Sequence, residues 1–358
     1  MTMDAGAPNA RAGLGVVRKT ARAALRAFPS LRDAYHLLRR RTVLGRRLLF
    51  HLRDAAHTYR HMRWDGCRRN YWKLSSELIF YFHKIEKGLC MPDRRSHFGA
   101  DSATRLVSLI EHWRKEGYGT NDPVYLGALE CLRAYRIQVE TSPLASGGTG
   151  RLASQIDRCM NDSPRRPEFE TPTTAIQCAP DVSVALWQLC RARRSVRAYR
   201  PDPVPQQDVH EAIALAQSSP SACNRQPWRV HLYRDRRQMD ALLALQNGNR
   251  GFGERIPLLL VITADADGFF DASERNQPYI DAGLFVMTLL LALQARGLST
   301  CCLNWCITNP GLDVKAHRHG SIPENERIIM YIAVGYADQN ALVPRSVRRN
   351  IESFMVVH

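Results

Sequence analysis

The 358-residue chain has no Gly-x-Gly-x-x-Gly fingerprint, which opposes a dehydrogenase built on a dinucleotide-binding βαβ unit. Its glycine cluster, Ser146-Gly147-Gly148-Thr149-Gly150, lacks the Lys-Ser/Thr ending of a phosphate loop and follows no clear strand. Zinc-finger and RNA-binding signatures are missing, so no nucleic-acid partner is expected. No Cys-x-x-Cys pair occurs among the ten cysteines, which read as reduced thiols in a cytoplasmic protein. Cys301, Cys302 and Cys306 are therefore not expected to hold a metal, since adjacent cysteines on a strand face opposite ways. The N-terminus offers no apolar stretch of leader length, and export is not expected. The longest apolar run, Ala282 to Leu293, is broken by Gly283 and Thr288 and falls short of the roughly 18 to 20 residues of a membrane span. A buried core helix is expected there.

What is abundant is arginine, and it is unevenly placed. Residues 1–70 hold 16 Arg or Lys against 4 Asp, which leaves +12 of the net +16 in that segment. Between Arg11 and Arg63, Leu14, Val17, Ala21, Leu25 and Phe28, then Leu37, Leu38, Leu44, Leu48, Leu49 and Leu52, recur at helical spacing among the arginines. Two or three basic amphipathic helices are expected, with Pro29 dividing the first from the second. Such helices can lie on an anionic membrane surface, and the alternative is a solvated arginine-rich arm.

From 71 to 140 the pattern is again helical, with Leu74, Leu78, Ile79 and Phe82 on one face and Gly88 expected as a helix C-cap. His83 and Glu86 share a helix face, but one such pair specifies no chemistry. Turn formers and breakers crowd 141–181, the expected linker, and a last domain is expected over 182–358.

Two motifs in that domain carry chemistry. Arg193-Arg194-Ser195-Val196-Arg197 concentrates planar guanidinium forks beside a hydroxyl, donors suited to a phosphate. About twenty residues later, after a helix over Val209–Gln217, comes Pro220-Ser221-Ala222-Cys223-Asn224-Arg225-Gln226-Pro227-Trp228. Asn224 and Gln226 there offer both donors and acceptors to a polar ring edge.

With Asp281-Ala282-Gly283, then Arg296-Gly297-Leu298-Ser299-Thr300-Cys301-Cys302, and Ala333-Val334-Gly335-Tyr336, these motifs resemble the nitroreductase family in order and spacing. The resemblance runs from about Ala185 to the C-terminus. It implies an α+β fold, a helix-flanked, mainly antiparallel sheet preceded by a mostly helical N-terminal region, and a homodimer binding FMN at the subunit interface. Arg193, Arg194, Ser195 and Arg197 correspond to the phosphate and ribityl segment. Pro220, Ser221, Asn224 and Gln226 correspond to the loop at the flavin ring. Asn304 and Trp305 lie in the stretch whose backbone passes the ring, and Arg345 with Arg348 corresponds to a closing phosphate clamp; Asn249 and Arg250 are a further flavin-contact candidate.

The implied activity moves electrons from NAD(P)H through FMN to a nitro, quinone or enone-like acceptor, with no side chain assigned as a catalytic acid or nucleophile. The alternatives on the same fold are a dehydrogenase or dehalogenase reaction, or a non-catalytic flavin-binding partner. His83-Lys84-Ile85-Glu86-Lys87-Gly88-Leu89, with Met91-Pro92 and Phe98-Gly99, resembles an extension on nitroreductase-like proteins of cell-surface polysaccharide biosynthesis. Residues 11–63 would then place a cytoplasmic enzyme peripherally at the inner membrane face.

Overall fold

The computed structural model describes residues 29–64, 70–91, 98–140, 149–161, 172–175, 181–307, 309–346 and 348–358. The helix expected before Pro29 lies outside them. The chain divides into two compact units, Met1–Ala56 and His57–His358. Pro29 opens helix α1 (Pro29–His61), a position where the missing N–H and fixed φ of proline suit the first turn. From there the chain runs as one helix to His61, with no third helix before Arg63. Leu44, Leu48, Leu49 and Leu52, within the first unit, are all exposed.

In the second unit, α2 (Tyr71–Cys90), α3 (Ala100–Lys115), α4 (Pro123–Glu140) and α5 (Thr149–Asn161) form a helical layer. Leu74 and Leu78 of α2, Leu106 and Trp113 of α3, and Tyr125 and Leu132 of α4 are buried in its core. The expected linker contains α5, whose Ile156 and Cys159 are buried in the same core. The breakers flanking 149–161 hide a helix whose apolar residues are few but aligned. Gly88 does not end α2, which runs on to Cys90; Phe98 occupies the space where a Cβ at Gly88 would stand. The left-handed cap is Gly99, at φ 74°, which starts α3.

The C-terminal part is α+β. After α6 (Ser183–Ala192) and α7 (Gln206–Ala216) come β1 (Trp228–Tyr233), α8 (Arg236–Leu243), β2 (Leu258–Asp265), α9 (Gln277–Ala295), β3 (Ser299–Asn304), α10 (Pro310–Gly320) and β4 (Glu326–Gly335). The four strands form an antiparallel sheet in the order β1-β2-β4-β3. Every residue of β2 is buried, which explains why Leu258 to Ile262 is apolar without alternation. Leu258, Leu260 and Ile262 face α9 through Phe285 and Leu289, while Leu259 and Val261 face Tyr331, Met239 and Leu242. Trp228 stacks on Phe285 at 4.9 Å, which packs β1 against α9. Helix α9 is half buried rather than fully so, with Ile280, Leu284 and Met287 open on its outer side.

One end of the sheet carries buried charge. Arg229 donates to Asp265 at 2.6 Å, and Asp265 also accepts from the Asp267 N–H and from Asn325. Glu326 accepts from Thr263 and holds the His231 ring at 2.6 Å. Burial pushes the Asp265 carboxyl up to about 6, against the pull of Arg229. Glu326, although burial pushes it up, ends below the usual range because His231 and Thr263 bind its charged form. The two carboxylates therefore act oppositely on stability. Asp265 contributes fully below its unfolded-state value and loses that contribution as pH rises through about 6. Glu326 contributes above its unfolded-state value and loses that contribution as pH falls through its depressed one. The destabilisation caused by Asp265→Asn should therefore shrink between pH 4 and 7 in chemical denaturation. A cost that grows over that interval would show the ionised carboxylate to be the favoured form.

Candidate active site

The segment after α6 is shaped by what it pairs with. Val196 donates to the Thr300 carbonyl at 3.0 Å, and Ser195 bridges Thr300 in parallel, laying Arg193–Arg197 along the outer edge of β3. Val196 and Tyr199 turn into the core, and the Tyr199 hydroxyl donates to the Val196 carbonyl at 2.8 Å. Arg193, Arg194 and Ser195 are half-buried and Arg197 is exposed. Arg194 donates to the Arg193 carbonyl at 2.9 Å and Arg197 to the Ser195 carbonyl at 3.3 Å. None of the three arginines pairs with a carboxylate among the described residues. Burial pushes the Cys301 thiol up, opposed by the positive charge of Arg197. Three arginines thus share one strand edge with no carboxylate partner among the described residues, and a phosphate could pair with guanidiniums left so.

The loop between α7 and β1 is strained. Cys223, Asn224 and Gln226 sit at φ 52°, 55° and 52°, left-handed values that cost a residue with a Cβ roughly 1 kcal/mol or more each. Such a loop persists only where its surroundings over-determine it. Ala222 donates its N–H to both oxygens of Asp281 at 3.2 Å, and Gln277 donates to the same carboxylate at 2.7 Å. Burial raises Asp281 despite those donors. Ser221 accepts from the Gln226 N–H at 3.0 Å, and the Pro227 carbonyl accepts from the Asp265 N–H at 2.8 Å. With the backbone so held, Pro220 and Asn224 are exposed and Ser221 and Gln226 half-buried, and the Gln226 amide donates to the Asn224 carbonyl at 3.0 Å. Asn224 is thus open to solvent on a loop held by its own hydrogen bonds, with donors and acceptors suited to a polar ring edge.

The remaining candidates are placed less tightly. Asn304 ends β3 with its side chain exposed and its carbonyl accepting from Gln246 at 2.9 Å. Trp305 stacks on Tyr331 at 5.0 Å and donates to Asp313 at 3.0 Å, so its side chain is structural and only its backbone is open to a ligand. Asn249 spends its amide on the Leu243 carbonyl at 2.7 Å, tying down a turn, while Arg250 is exposed. Arg345 and Arg348 lie exposed beyond β4, with Arg348 donating to Ser346, and no hydrogen bond joins them to Arg193–Arg197 among the described residues. His83 meets Glu86 at 3.0 Å as a pair within α2. No group of three or more potential metal ligands occurs among the described residues.

Sequence reasoning missed the anchors of the loop. Asp281 was visible as the one carboxylate opening an apolar helix, which burial obliges to find donors. Arg225 carried no such signal, because its partner Glu274 lies far along the chain.

Comparison with known proteins bears on the same residues. The profile of the nitroreductase family matches residues 190–249 and 238–336. Nitroreductase NfnB of Mycolicibacterium smegmatis is 28% identical over 220 residues, covering 49% of this chain and 92% of that protein. A 4-nitrobenzoate reductase of Pseudomonas putida is 27% identical over 46% of this chain and 92% of its own. An iodotyrosine deiodinase of Nematostella vectensis is 26% identical over 49% of this chain and 75% of its own. Among solved structures, a nitroreductase family protein of Streptococcus pneumoniae superposes with a TM-score of 0.42 at 21% identity, over 48% of this chain and all of that one. The strand edge bearing Arg193–Arg197 and the strained loop bearing Asn224 and Gln226 both fall inside the matched span, and residues 190–336 are a nitroreductase family domain.

Proposed function

We propose that the chain is an FMN-dependent oxidoreductase that uses NADH or NADPH to reduce a small nitro, quinone or enone-like acceptor. The observation that carries this reading is the combination, within one family domain, of guanidiniums on the β3 edge that meet no carboxylate among the described residues and a strained loop bearing Ser221, Asn224 and Gln226. FMN, when bound, supplies the two-electron chemistry. Arg193, Arg194, Ser195 and Arg197, with Arg345 and Arg348, would hold its phosphate, and Ser221, Asn224 and Gln226 would meet the ring edge. Hydrogen-bond donors at the pyrimidine side favour the negative charge of the reduced ring, so the protein acts by binding and orienting. A second reading keeps the cofactor and changes the reaction to reductive dehalogenation, as the iodotyrosine deiodinase relatives suggest.

The domain also leaves apolar faces uncovered. Leu186 and Trp187 on α6, Ile280, Leu284 and Met287 on α9, and Phe354 near the C-terminus are exposed. Ile280, Leu284 and Met287 follow i, i+4, i+7 spacing, one stripe of the helix. Contiguous apolar surface of this kind favours a second copy, and we read it as a homodimer surface. In the first unit, exposed Leu44, Leu48, Leu49 and Leu52 share a face of the arginine-rich helix α1, which supports peripheral contact with anionic lipid on the cytoplasmic side.

Purified protein should be yellow, with FMN absorbance that bleaches with NADH or NADPH and returns on adding a nitroaromatic. Colourless protein that takes up no FMN in titration sinks the reading, and return only with a halogenated phenol selects dehalogenation. Changing Arg193 and Arg197 together to Ala should weaken FMN binding by about 2–4 kcal/mol, the scale of lost charge-assisted bonds. Leu284→Glu should shift the sedimenting species from dimer to monomer, and an unchanged species would place the interface elsewhere. Removing residues 1–56, the first unit, should abolish sedimentation with phosphatidylserine vesicles while leaving FMN bound; undiminished sedimentation would refute the lipid contact.

A further inference from the structure

Between Asn224 and Gln226, both left-handed, stands Arg225, whose side chain has no exposure. A guanidinium removed from water must have its donors met, or burial costs several kcal/mol. Here Nε donates to the Ala222 carbonyl at 2.9 Å and Nη1 to the Gly268 carbonyl at 3.1 Å. Both Nη1 and Nη2 reach Glu274 as a fork, and Glu274 in turn accepts from the Phe270 N–H at 3.1 Å. Around this pair stand Trp64, Phe80, Phe269 and Phe270, with ring centroids 5.0 to 6.0 Å from the guanidinium. Phe269 and Phe270 belong to the reductase domain. Trp64 and Phe80 belong to the N-terminal helical region.

That region also holds the acceptor in place. The turn Ala266–Gly268 is clamped by Trp64, which donates to the Asp267 carbonyl at 3.1 Å, and by Asn70, which donates to the Asp267 carboxylate at 2.7 Å. A Cβ at Gly268 would stand 3.3 Å from the Ser76 hydroxyl of α2 and 3.6 Å from Pro227, so the turn is wedged between the helix and the loop. The contacts run without a gap from α2 through the turn to Arg225 and into the backbone that sets Asn224 and Gln226.

We propose that Arg225 is the positioning residue of the flavin-facing loop, and that Trp64 and α2 are its supporting layer. The N-terminal helices would then be an integral part of the reductase site, holding Asn224 and Gln226 in their left-handed conformations. This rests on the reading of the loop as a flavin contact. Arg225 touches no ligand itself; it acts by pulling the loop inward at one residue, which fixes the left-handed backbone of its two neighbours.

The test uses the full chain loaded with FMN. Arg225→Lys keeps the charge and loses the fork, whereas Phe80→Leu loosens α2 without altering residues 219–227. Hydrogen exchange of the 219–227 peptide should quicken at least tenfold in both variants, with β2 and β4 peptides unchanged. FMN affinity should fall about tenfold, and the flavin midpoint potential should move negative as donors to the reduced ring are lost. Wild-type exchange, affinity and potential in Phe80→Leu would overturn the role of the helical layer, and the same in Arg225→Lys would overturn that of Arg225. Should Arg225→Lys exchange globally as an unfolded chain, Phe80→Leu alone decides. Should the wild type bind no FMN, the flavin reading falls by itself, and the exchange measurement still decides whether Arg225 and α2 hold the loop.

Discussion

A buried guanidinium organises the most constrained part of this protein. Arg225 cannot be left half-satisfied, because an unpaired charge in a low-dielectric interior costs more than any one contact returns. Meeting its donors requires Glu274, the Gly268 carbonyl and the Ala222 carbonyl to be brought together from three places in the chain. Once they are, the backbone on either side of Arg225 has little freedom left. The left-handed conformations of Cys223, Asn224 and Gln226 follow from that constraint as much as from the local sequence, which contains no glycine in the loop.

This explains which parts of the molecule were legible in the sequence. Periodicity made the amphipathic face of α2 legible, because a period of 3.6 is a local property of the chain, whereas β2 is buried on both faces and has no alternation to read. The Arg193–Arg197 and Pro220–Gln226 motifs were legible because their donors cluster within a few residues. What escaped was long-range. The helix α5 hides between segments rich in breakers, and its claim to order lies in Ile156 and Cys159 finding the α3–α4 core. Pro29, by contrast, was legible as a boundary because at a first turn proline initiates a helix, and α1 starts there. The network of Arg229, Asp265 and Glu326 joins β1, β2 and β4, and no spacing along the sequence announces it.

The arginines fall into two groups, those paired with carboxylates inside the fold and those that are not. Arg225 and Arg229 are buried or nearly so, and each faces a carboxylate of the same unit. Their attraction offsets the cost of leaving water, and the result is a fixed geometry rather than a large net gain in stability. Arg193, Arg194 and Arg197 flank the Val196 N–H bonded to Thr300 at the β3 edge, and no carboxylate among the described residues pairs with them. Had stability been the only constraint, carboxylates would be expected beside them, since like charges gathered on one short segment repel one another.

The two groups of arginines are also coupled through the sheet. The strand edge that carries Arg193–Arg197 is β3, which pairs with β4, and β4 pairs with β2. Asp265 ends β2, and its N–H is bonded to the Pro227 carbonyl at the exit of the strained loop. The strand edge and the loop are therefore fixed to the same three strands, so their separation is set by a rigid element rather than by flexible connections. Each group is thus ordered by the fold itself, so the entropy of fixing its backbone is expended in folding.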